Sequence, residues 1–277
     1  MEFSIMKVCS ITGLFVYFFI GKQCFMWVWP DKIEEKQCFF VVSLYLAHLI
    51  TYTIVNAFYF ACYQSKSKYI SQAKIEQKPW PWDGKESKVW QEMKRLFWKN
   101  VLINQFIMVG VAYAASCIKL DTRFDQSFPT VFEISWQIMV FGIIEDVLFY
   151  FSHRLLHTPY FYGKVHKVHH IYNITVSWSA EFAHPLEYIL GNLIPVISGP
   201  ILLGSQTHMI TVLVFVGLAT HKTLSDHSGF NFEWDVYQYL PLTTHSEFHS
   251  KHHSLNTGNY SSTFTYLDDL LGTTIKK

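Results

Sequence analysis

The spacing of histidines is the feature of this sequence best able to support chemistry. All but one of the 14 histidines lie at or beyond residue 153. Three groups stand out: HRLLH at 153–157, HKVHH at 166–170 and HSKHH at 249–253. Residues four apart share one face of a helix, so the outer histidines of each group can bind one metal ion. The middle histidine of the second and third groups is offset from that face, toward a second ion.

The donor type narrows the choice of metal. Neutral imidazole suits iron, zinc, copper and nickel, and a lone tetrahedral zinc needs only four ligands. The three groups supply eight candidates: His153, His157, His166, His169, His170, His249, His252 and His253. We therefore expect more than one ion. The five cysteines show no CxxC spacing and lie away from these groups, which argues against a thiolate site or a disulfide framework.

Four further histidines are candidates of a second kind. His227 in DHSG and His184 in EFAHPLE could each complete the coordination of an ion. His221 and His245 fit equally well as ligands or as polar residues at helix ends. The two that we expect to play no part in metal binding are His48, alone in an apolar segment, and His208.

Asp146 is the carboxylate that we associate with the first histidine group. It precedes His153 and His157 by seven and eleven residues, which places all three on one helical stripe. A carboxylate within an apolar segment is costly and usually has a partner. We expect Asp146 to accept an imidazole N–H and so fix the tautomer of that ring.

The composition predicts that these groups are positioned by membrane helices. Half of the residues are apolar and 16% are charged, against about 25% in soluble domains, and the mean hydropathy is +0.15. A spanning helix needs about 20 apolar residues. The predicted membrane segments are Phe39–Cys62, Val101–Ile118, Thr130–Phe151, Tyr188–Gly204 and Met209–Thr220. We interpret 188–220 as a helical hairpin and Val8–Ile20 as an N-terminal anchor, with the spanning of residues 8–29 left open.

The loops predict the orientation of this bundle. Residues 64–100 carry nine Lys and Arg against four acids, and such loops face the cytosol. Counting spans from there brings every histidine group to the cytosolic side, provided that 188–220 enters the membrane and returns. The basic loop also fits as a docking surface for an acidic protein. The net charge of +1 shows no basic excess for nucleic acid.

These observations define a predicted fold. It is an all-α integral membrane bundle of about four to six membrane segments with a cytosolic, histidine-rich helical cap. Residues 1–129 would form the N-terminal membrane segments with the basic loop 64–100, and residues 130–277 the catalytic domain.

The motif order resembles the fatty acid hydroxylase/sterol desaturase superfamily. The matching text is EDVLFYFSHRLLH, HKVHH, EFAHPLE, DHSGF, HSKHH and GNYSSTFTYLDDLLGT, over roughly residues 130–275. Within the superfamily, the AHPLE and GNYSSTFT segments resemble the C4-methylsterol oxidase branch most, and the DHSGF segment resembles sterol 25-hydroxylases nearly as well.

The resemblance implies a multi-pass enzyme of the endoplasmic reticulum membrane with a non-haem di-iron centre on the cytosolic side. Such enzymes use O2 and NAD(P)H-derived electrons that arrive through cytochrome b5 or a related donor. No cytochrome b5 domain is recognisable in the sequence, so we expect a separate donor and its reductase. Carried over by motif, the iron ligands are the eight histidines of the three groups, joined by His227 and His184.

The expected reaction is a monooxygenase reaction on a lipid C–H bond, with a sterol C4-methyl group as the first candidate. Another sterol position, a fatty acyl chain or a sphingolipid is an alternative substrate. A membrane zinc hydrolase is a different class, but the groups lack the Glu of HExxH and no GxSxG motif occurs. A metal-binding membrane protein without catalysis is the third reading.

Overall fold

Helices make up nearly all of the regular structure. The computed structural model describes residues 33–83, 88–118, 122–124 and 127–276, so the predicted anchor Val8–Ile20 lies outside the described residues. The helices are α1 (Ile33–Gln64), α2 (Lys68–Gln72), α3 (Lys88–Ile118), α4 (Val131–Leu156), α5 (Pro159–Lys164), α6 (Pro185–Glu187), α7 (Ile194–Leu203), α8 (Met209–Asp226), α9 (Ser246–Leu255) and α10 (Tyr266–Leu270). Short 3-10 turns cover His166–Ile171, Ser177–Glu181, Gly204–Gln206 and Val236–Gln238, and a π turn covers Tyr188–Leu193. The described ranges contain isolated β-bridges but no strand, which confirms the all-α prediction.

Four helical segments are long and apolar enough to cross a membrane. They are Glu35–Gln64, Trp90–Cys117, Val131–Leu156 and Pro185–Gln206. Each overlaps a predicted segment, and their side chains are largely turned outward, with at most 33% of each apolar window buried. A helix whose apolar side chains are mostly exposed within the protein needs an apolar surrounding. The prediction of a multi-pass membrane bundle is therefore confirmed.

The predicted hairpin at 188–220 is formed by α7 and α8. Its first arm belongs to the span Pro185–Gln206. Its second arm, α8, is not among the four helices that meet the length and composition of a span, but it returns from the bridge between Arg123 and His208 to His227, which lies 3.2 Å from His169. Helix α8 packs mainly against α1, whereas α7 packs mainly against α4. Most residues of α8 are buried. The return arm is thus enclosed by its neighbours, and its apolar run is typical of a helix that lies in a core.

Helix α4 carries the first histidine group to the end of a span. Its N-terminus is fixed by Thr130, whose hydroxyl accepts a hydrogen bond from the backbone N–H of Glu133 at 3.1 Å, which satisfies one otherwise free donor. The helix ends at His157, its C-cap residue. The first histidine group (box one; the second and third groups are box two and box three) therefore lies in the last turn of the helix, at the boundary between the apolar segment and the histidine-rich part.

The segment after α1 folds back onto the chain near His227. The hydroxyl of Tyr63 donates to the backbone oxygen of Ser228 at 2.8 Å and accepts from the backbone N–H of Ser177 at 2.8 Å. The backbone N–H of Ile75 donates to the carbonyl of Gly229 at 3.0 Å. The N-terminal helices are thus tied to the histidine-rich part by buried hydrogen bonds.

Gly199 marks the closest approach of α7 to α4. A Cβ at this position would lie 2.8 Å from the Cα of Phe141, so a side chain would push the helices apart. Gly199→Ala is expected to lower the free energy of unfolding by about 1–3 kcal/mol through overpacking. Gly110→Ala is the matched control, because nothing lies within 4 Å of its added Cβ, and it should be neutral or stabilising. Unfolding in detergent measures both; equal effects of the two variants would contradict the prediction.

Candidate metal centre

Nine histidines converge in two clusters. Cluster one consists of His153, His157, His166, His170 and His252, and cluster two consists of His169, His227, His249 and His253. Within each cluster, one nitrogen of every ring lies within 4.8 Å of the others. All rings except the partly exposed His157 are buried. Segments more than 80 residues apart in sequence therefore meet at two points.

The helical spacing divides the boxes between the clusters. In HKVHH the outer pair, His166 and His170, joins cluster one, and the middle His169 joins cluster two. In HSKHH the assignment is reversed, since His249 and His253 join cluster two and the middle His252 joins cluster one. This is the arrangement that the offset of the middle histidine predicts. His227, the C-cap residue of α8, completes cluster two.

The Nε2 atoms are spaced as ligands of one ion would be. In cluster one the distances are 2.9 Å from His157 to His166, 3.0 Å from His166 to His170 and 3.2 Å from His170 to His252. In cluster two they are between 3.0 and 3.3 Å. A metal–nitrogen distance of about 2.1 Å places neighbouring ligands about 3.0 Å apart at right angles and about 3.4 Å apart in a tetrahedron. Both clusters fit metal ions.

The positions of the protons support this fit. The Nδ1 atoms of His169 and His227 lie 3.1 Å from the carbonyl of Phe182 and 2.8 Å from that of Thr223. A carbonyl only accepts, so each Nδ1 carries the proton and each Nε2 a lone pair. These two Nε2 atoms are nonetheless 3.2 Å apart. Two buried lone pairs at that distance repel unless a cation lies between them.

Burial, and after it the neighbouring imidazoles, keeps these rings neutral. The two effects hold the pKa of His166, His227, His249, His252 and His253 well below its ordinary value. Neutral imidazole is the form that binds a metal ion. Rings held neutral keep their Nε2 lone pairs free, so the clusters are prepared for metal rather than for protons.

The C-terminal segment holds two rings of cluster one. The Nδ1 of His252 donates to the carbonyl of Gly258 at 2.7 Å, and the Nδ1 of His153 donates to the carbonyl of Tyr260 at 2.8 Å. The buried carboxylate of Asp268 accepts from the backbone N–H of Tyr260 and Ser261 at 2.9 and 2.8 Å. Gly258 has a φ of +66°, and a Cβ there would lie 2.6 Å from the carbonyl of Thr273. The GNYSS motif is therefore the backbone that orients box one and box three.

Asp146 does not bond an imidazole in this structure, contrary to our expectation. Its Oδ1 accepts from the backbone N–H groups of Thr263 and Phe264 at 2.7 and 3.1 Å. It therefore ties α4 to the C-terminal segment that carries the Tyr260 carbonyl, and acts on His153 only through that segment. The helical stripe placed Asp146 on the face of α4 that carries His153, but it did not predict that backbone amides would be its hydrogen-bond donors.

Glu187 is the carboxylate that sequence reasoning missed. Its Oε1 lies 2.9 Å from the Nδ1 of His166, and both side chains are buried. A carboxylate in this place fixes the ring and raises the basicity of the ligating nitrogen. The available signal was the motif EFAHPLE, which ends in Glu187 between box two and the predicted segment Tyr188–Gly204.

The structure places the other histidines outside both clusters. The Nδ1 of His184 accepts from the backbone N–H of Leu186 at 3.1 Å and caps α6, so this candidate ligand is not brought to either cluster. His208 caps α8 in the same way, with a distance of 3.1 Å to the backbone N–H of Ile210. His48 lies 3.2 Å from the hydroxyl of Thr220, an interhelical contact. His221 and His245 belong to neither group.

An apolar cavity of about 380 Å³ reaches cluster two. Its walls include Tyr45, Met108, Phe149, Val216 and Phe264, and His227 and His249 line its histidine end. A smaller cavity of about 30 Å³ is lined by rings of both clusters, among them His153 and His169. The larger volume lies in the range of small-molecule sites, and the smaller one has room for a molecule of a few atoms.

Helical spans together with two imidazole clusters define a membrane protein with two candidate metal sites. The family model for fatty acid hydroxylase matches residues 138–273. A methylsterol monooxygenase homologue of Dictyostelium discoideum is 35% identical over 191 residues, which cover 68% of this chain and 69% of that protein. The chain therefore belongs to the fatty acid hydroxylase family.

Two other relatives match a shorter part of the chain. Methylsterol monooxygenase 2-2 of Arabidopsis thaliana is 40% identical over 148 residues, covering 52% of this chain and 54% of that protein. A very-long-chain aldehyde decarbonylase of Oryza sativa is 42% identical over 140 residues, covering 50% of this chain and 51% of that protein. The chain thus matches about half the length of each of these two relatives. No solved structure matches the chain significantly.

Proposed function

We propose that the chain is a membrane-bound, non-haem di-iron monooxygenase that oxidises a C–H bond of a lipid. A sterol is the first candidate substrate and a C4-methyl group the first candidate position. The main support for a metal centre is the 3.2 Å distance between the Nε2 atoms of His169 and His227, whose lone pairs face each other. Similarity to methylsterol monooxygenases supports the substrate class.

The proposed ligands are the nine clustered histidines, five for one ion and four for the other. The chemistry that two iron ions supply, when bound, is activation of O2 for attack on an unactivated C–H bond. Both sites consist of nitrogen donors without thiolate, a set that suits iron. The protein's own part is to fix the rings by the contacts to Phe182, Thr223, Gly258 and Tyr260, and by Glu187.

The cavity supports an apolar substrate that enters from the membrane. Tyr237, Leu240 and Thr243 line it, and the loop that holds them exposes Val236 and Leu242 by 56% and 63%. This loop pairs with Phe264 through an isolated bridge at Thr243. Because Asp146 binds the backbone of Phe264 to α4, the exposed apolar loop lies beside a membrane span. The apolar walls exclude water from the reacting carbon.

The setting that we propose follows the family resemblance. The chain would lie in the endoplasmic reticulum membrane with both clusters on the cytosolic side. A separate cytochrome b5-type protein and its reductase would deliver electrons from NAD(P)H. The basic residues of 64–100 suit the docking of such an acidic donor.

A reconstituted reaction tests this proposal. The purified chain, loaded with Fe(II) and supplied with O2, NADPH, reductase and cytochrome b5, should convert a 4-methylsterol in vesicles to its 4-hydroxymethyl product. Oxidation of a fatty acyl lipid or conversion of a long-chain aldehyde, with the 4-methylsterol untouched, would refute the sterol assignment. A fully loaded protein with one zinc and no iron would refute the di-iron centre.

The same assay tests whether the substrate occupies the cavity. Ala219 lines the cavity, so Ala219→Trp should lower kcat/KM for the lipid by about tenfold or more and leave the iron content unchanged. Ala61 is exposed on α1 and lies outside the cavity wall, so Ala61→Trp should have no such effect. Equal kcat/KM values for the two variants would show that the cavity does not hold the substrate.

A further inference from the structure

One short segment, residues 177–187, contacts a ring of each cluster. Its Phe182 carbonyl lies 3.1 Å from the Nδ1 of His169 in cluster two. Its Glu187 carboxylate lies 2.9 Å from the Nδ1 of His166 in cluster one. We call residues 177–187 the bridging segment. Its geometry decides how two metal-facing rings are oriented.

The bridging segment has no helical hydrogen-bonding pattern at its middle, where it contacts His169. A 3-10 turn ends at Glu181 and α6 begins at Pro185, so Phe182 and Ala183 lie between them. Phe182 and Ala183 are both buried, at 0% and 1% exposure. Buried carbonyls without helical partners need donors from elsewhere in the protein.

Asn104 of α3 supplies those donors on both sides of Phe182. Its Nδ2 donates to the carbonyl of Glu181 at 3.2 Å and to that of Ala183 at 3.1 Å. The two bonds hold the peptide groups 181–182 and 183–184, which flank the peptide group that carries the Phe182 carbonyl, and so constrain the direction of that carbonyl. Asn104 is fully buried within a membrane span, where a polar side chain is costly without a partner.

The Glu181 side chain is held by two more residues of the N-terminal helices. The Nε2 of Gln105 donates to its Oε2 at 2.8 Å. The Nε2 of His48 on α1 lies 2.9 Å from its Oε1, and both side chains are buried. Three residues from α1 and α3 thus converge on the middle of the bridging segment.

We propose that Asn104 is a positioning residue for the second metal ion, acting through Phe182 on His169, with Gln105 and His48 in support. The proposal rests on the metal centres of the proposed function. It assigns a task to helices outside residues 138–273, the part matched by the family model. The N-terminal helices then contribute to metal affinity as well as to membrane anchoring.

Iron binding to the purified chain of 277 residues tests the proposal. Asn104→Leu keeps the size of the side chain and removes both donors. We expect cluster two to bind Fe(II) about tenfold or more weakly, as for other residues that orient a ligand. At an iron concentration at which the unmodified chain holds two ions, the variant should hold one. In Mössbauer spectra one of two iron signals should disappear and the other should stay unchanged.

Asn56→Leu is the matched control. Asn56 lies on α1. Like Asn104, it has a buried amide oxygen without a hydrogen-bond donor. Its amide nitrogen donates only to the carbonyl of Tyr52 in its own helix, at 2.9 Å. It should retain both signals. Gln105→Leu, a milder change at the same segment, should weaken the same signal as Asn104→Leu and serves if Asn104→Leu fails to fold.

The outcomes separate this inference from the proposed function. Unchanged binding of two ions by both Asn104→Leu and Gln105→Leu, or equal loss of both signals in folded protein, would overturn the positioning role. An unmodified chain that binds fewer than two ions would overturn the di-iron centre, and the positioning role with it.

Discussion

Replacing His253 by alanine is expected to remove one of two bound metal ions and to lower lipid oxidation more than about 100-fold. Residues that only orient a ligand cost about 10–100-fold in affinity or activity, and His253 is a proposed ligand. Cluster two has four histidines, so the variant would have three. Iron analysis of the loaded protein and product formation in vesicles measure the two effects.

Replacing His153 should give a different result, because cluster one has five histidines. Four imidazoles would stay after His153→Ala, and four ligands suffice to hold an ion. We therefore expect close to two ions per chain and a large loss of oxidation, since the geometry of the site changes. His221→Ala, outside both clusters, is the control and should keep both properties. Full oxidation by His253→Ala would remove His253 from the ligand set.

The asymmetry of the two clusters was not predictable from the sequence, although the boxes were. Spacing within HKVHH and HSKHH is local, so the helical period alone separates the outer histidines from the middle one. His227 lies outside the boxes, and His184 was an equal candidate on the same grounds. Only the path of the chain places His227 at the end of α8, against His249, and His184 at the cap of α6.

The contacts that orient the rings were the least predictable part of the site. Four of them use backbone carbonyls, those of Phe182, Thr223, Gly258 and Tyr260, and a carbonyl has no side-chain signature. For Asp146, too, the sequence predicted the side chain but not its backbone partners. Its position on α4 was readable from the period, but its partners are amides more than 100 residues away.

The membrane helices were predicted from composition because their apolar faces meet lipid. The same criterion also found the return arm α8, although this helix is enclosed by its neighbours, since a buried helix and a spanning helix both lack polar faces. What distinguishes α8 is its polar end. Lys222 and Asp226 are both buried there, one turn apart, beyond Thr220, where the predicted segment ended.

Replacing Lys222 by methionine is expected to destabilise the folded chain by about 3–5 kcal/mol. The Lys222 ammonium binds the carboxylate of Asp226 and donates to the hydroxyl of Thr244 at 2.8 Å. The side chains of this pair are only 5% and 9% exposed. The variant would leave Asp226 buried without its cation, close to the buried Glu145. Chemical unfolding of the metal-free protein in detergent measures the loss.

Lys251→Met is the control with the same spacing and a different environment. Lys251 pairs with Glu247 one turn away at 2.7 Å, but these side chains are 35% and 37% exposed. Water screens such a pair, so its loss should cost about 0–0.5 kcal/mol. Lys222→Met combined with Asp226→Leu should be milder than Lys222→Met alone, because the unpaired charge is removed together with its partner. Equal destabilisation by Lys222→Met and Lys251→Met would contradict this prediction. It would show that burial does not decide the strength of the pair, and that water hydrates Asp226 once Lys222 is replaced.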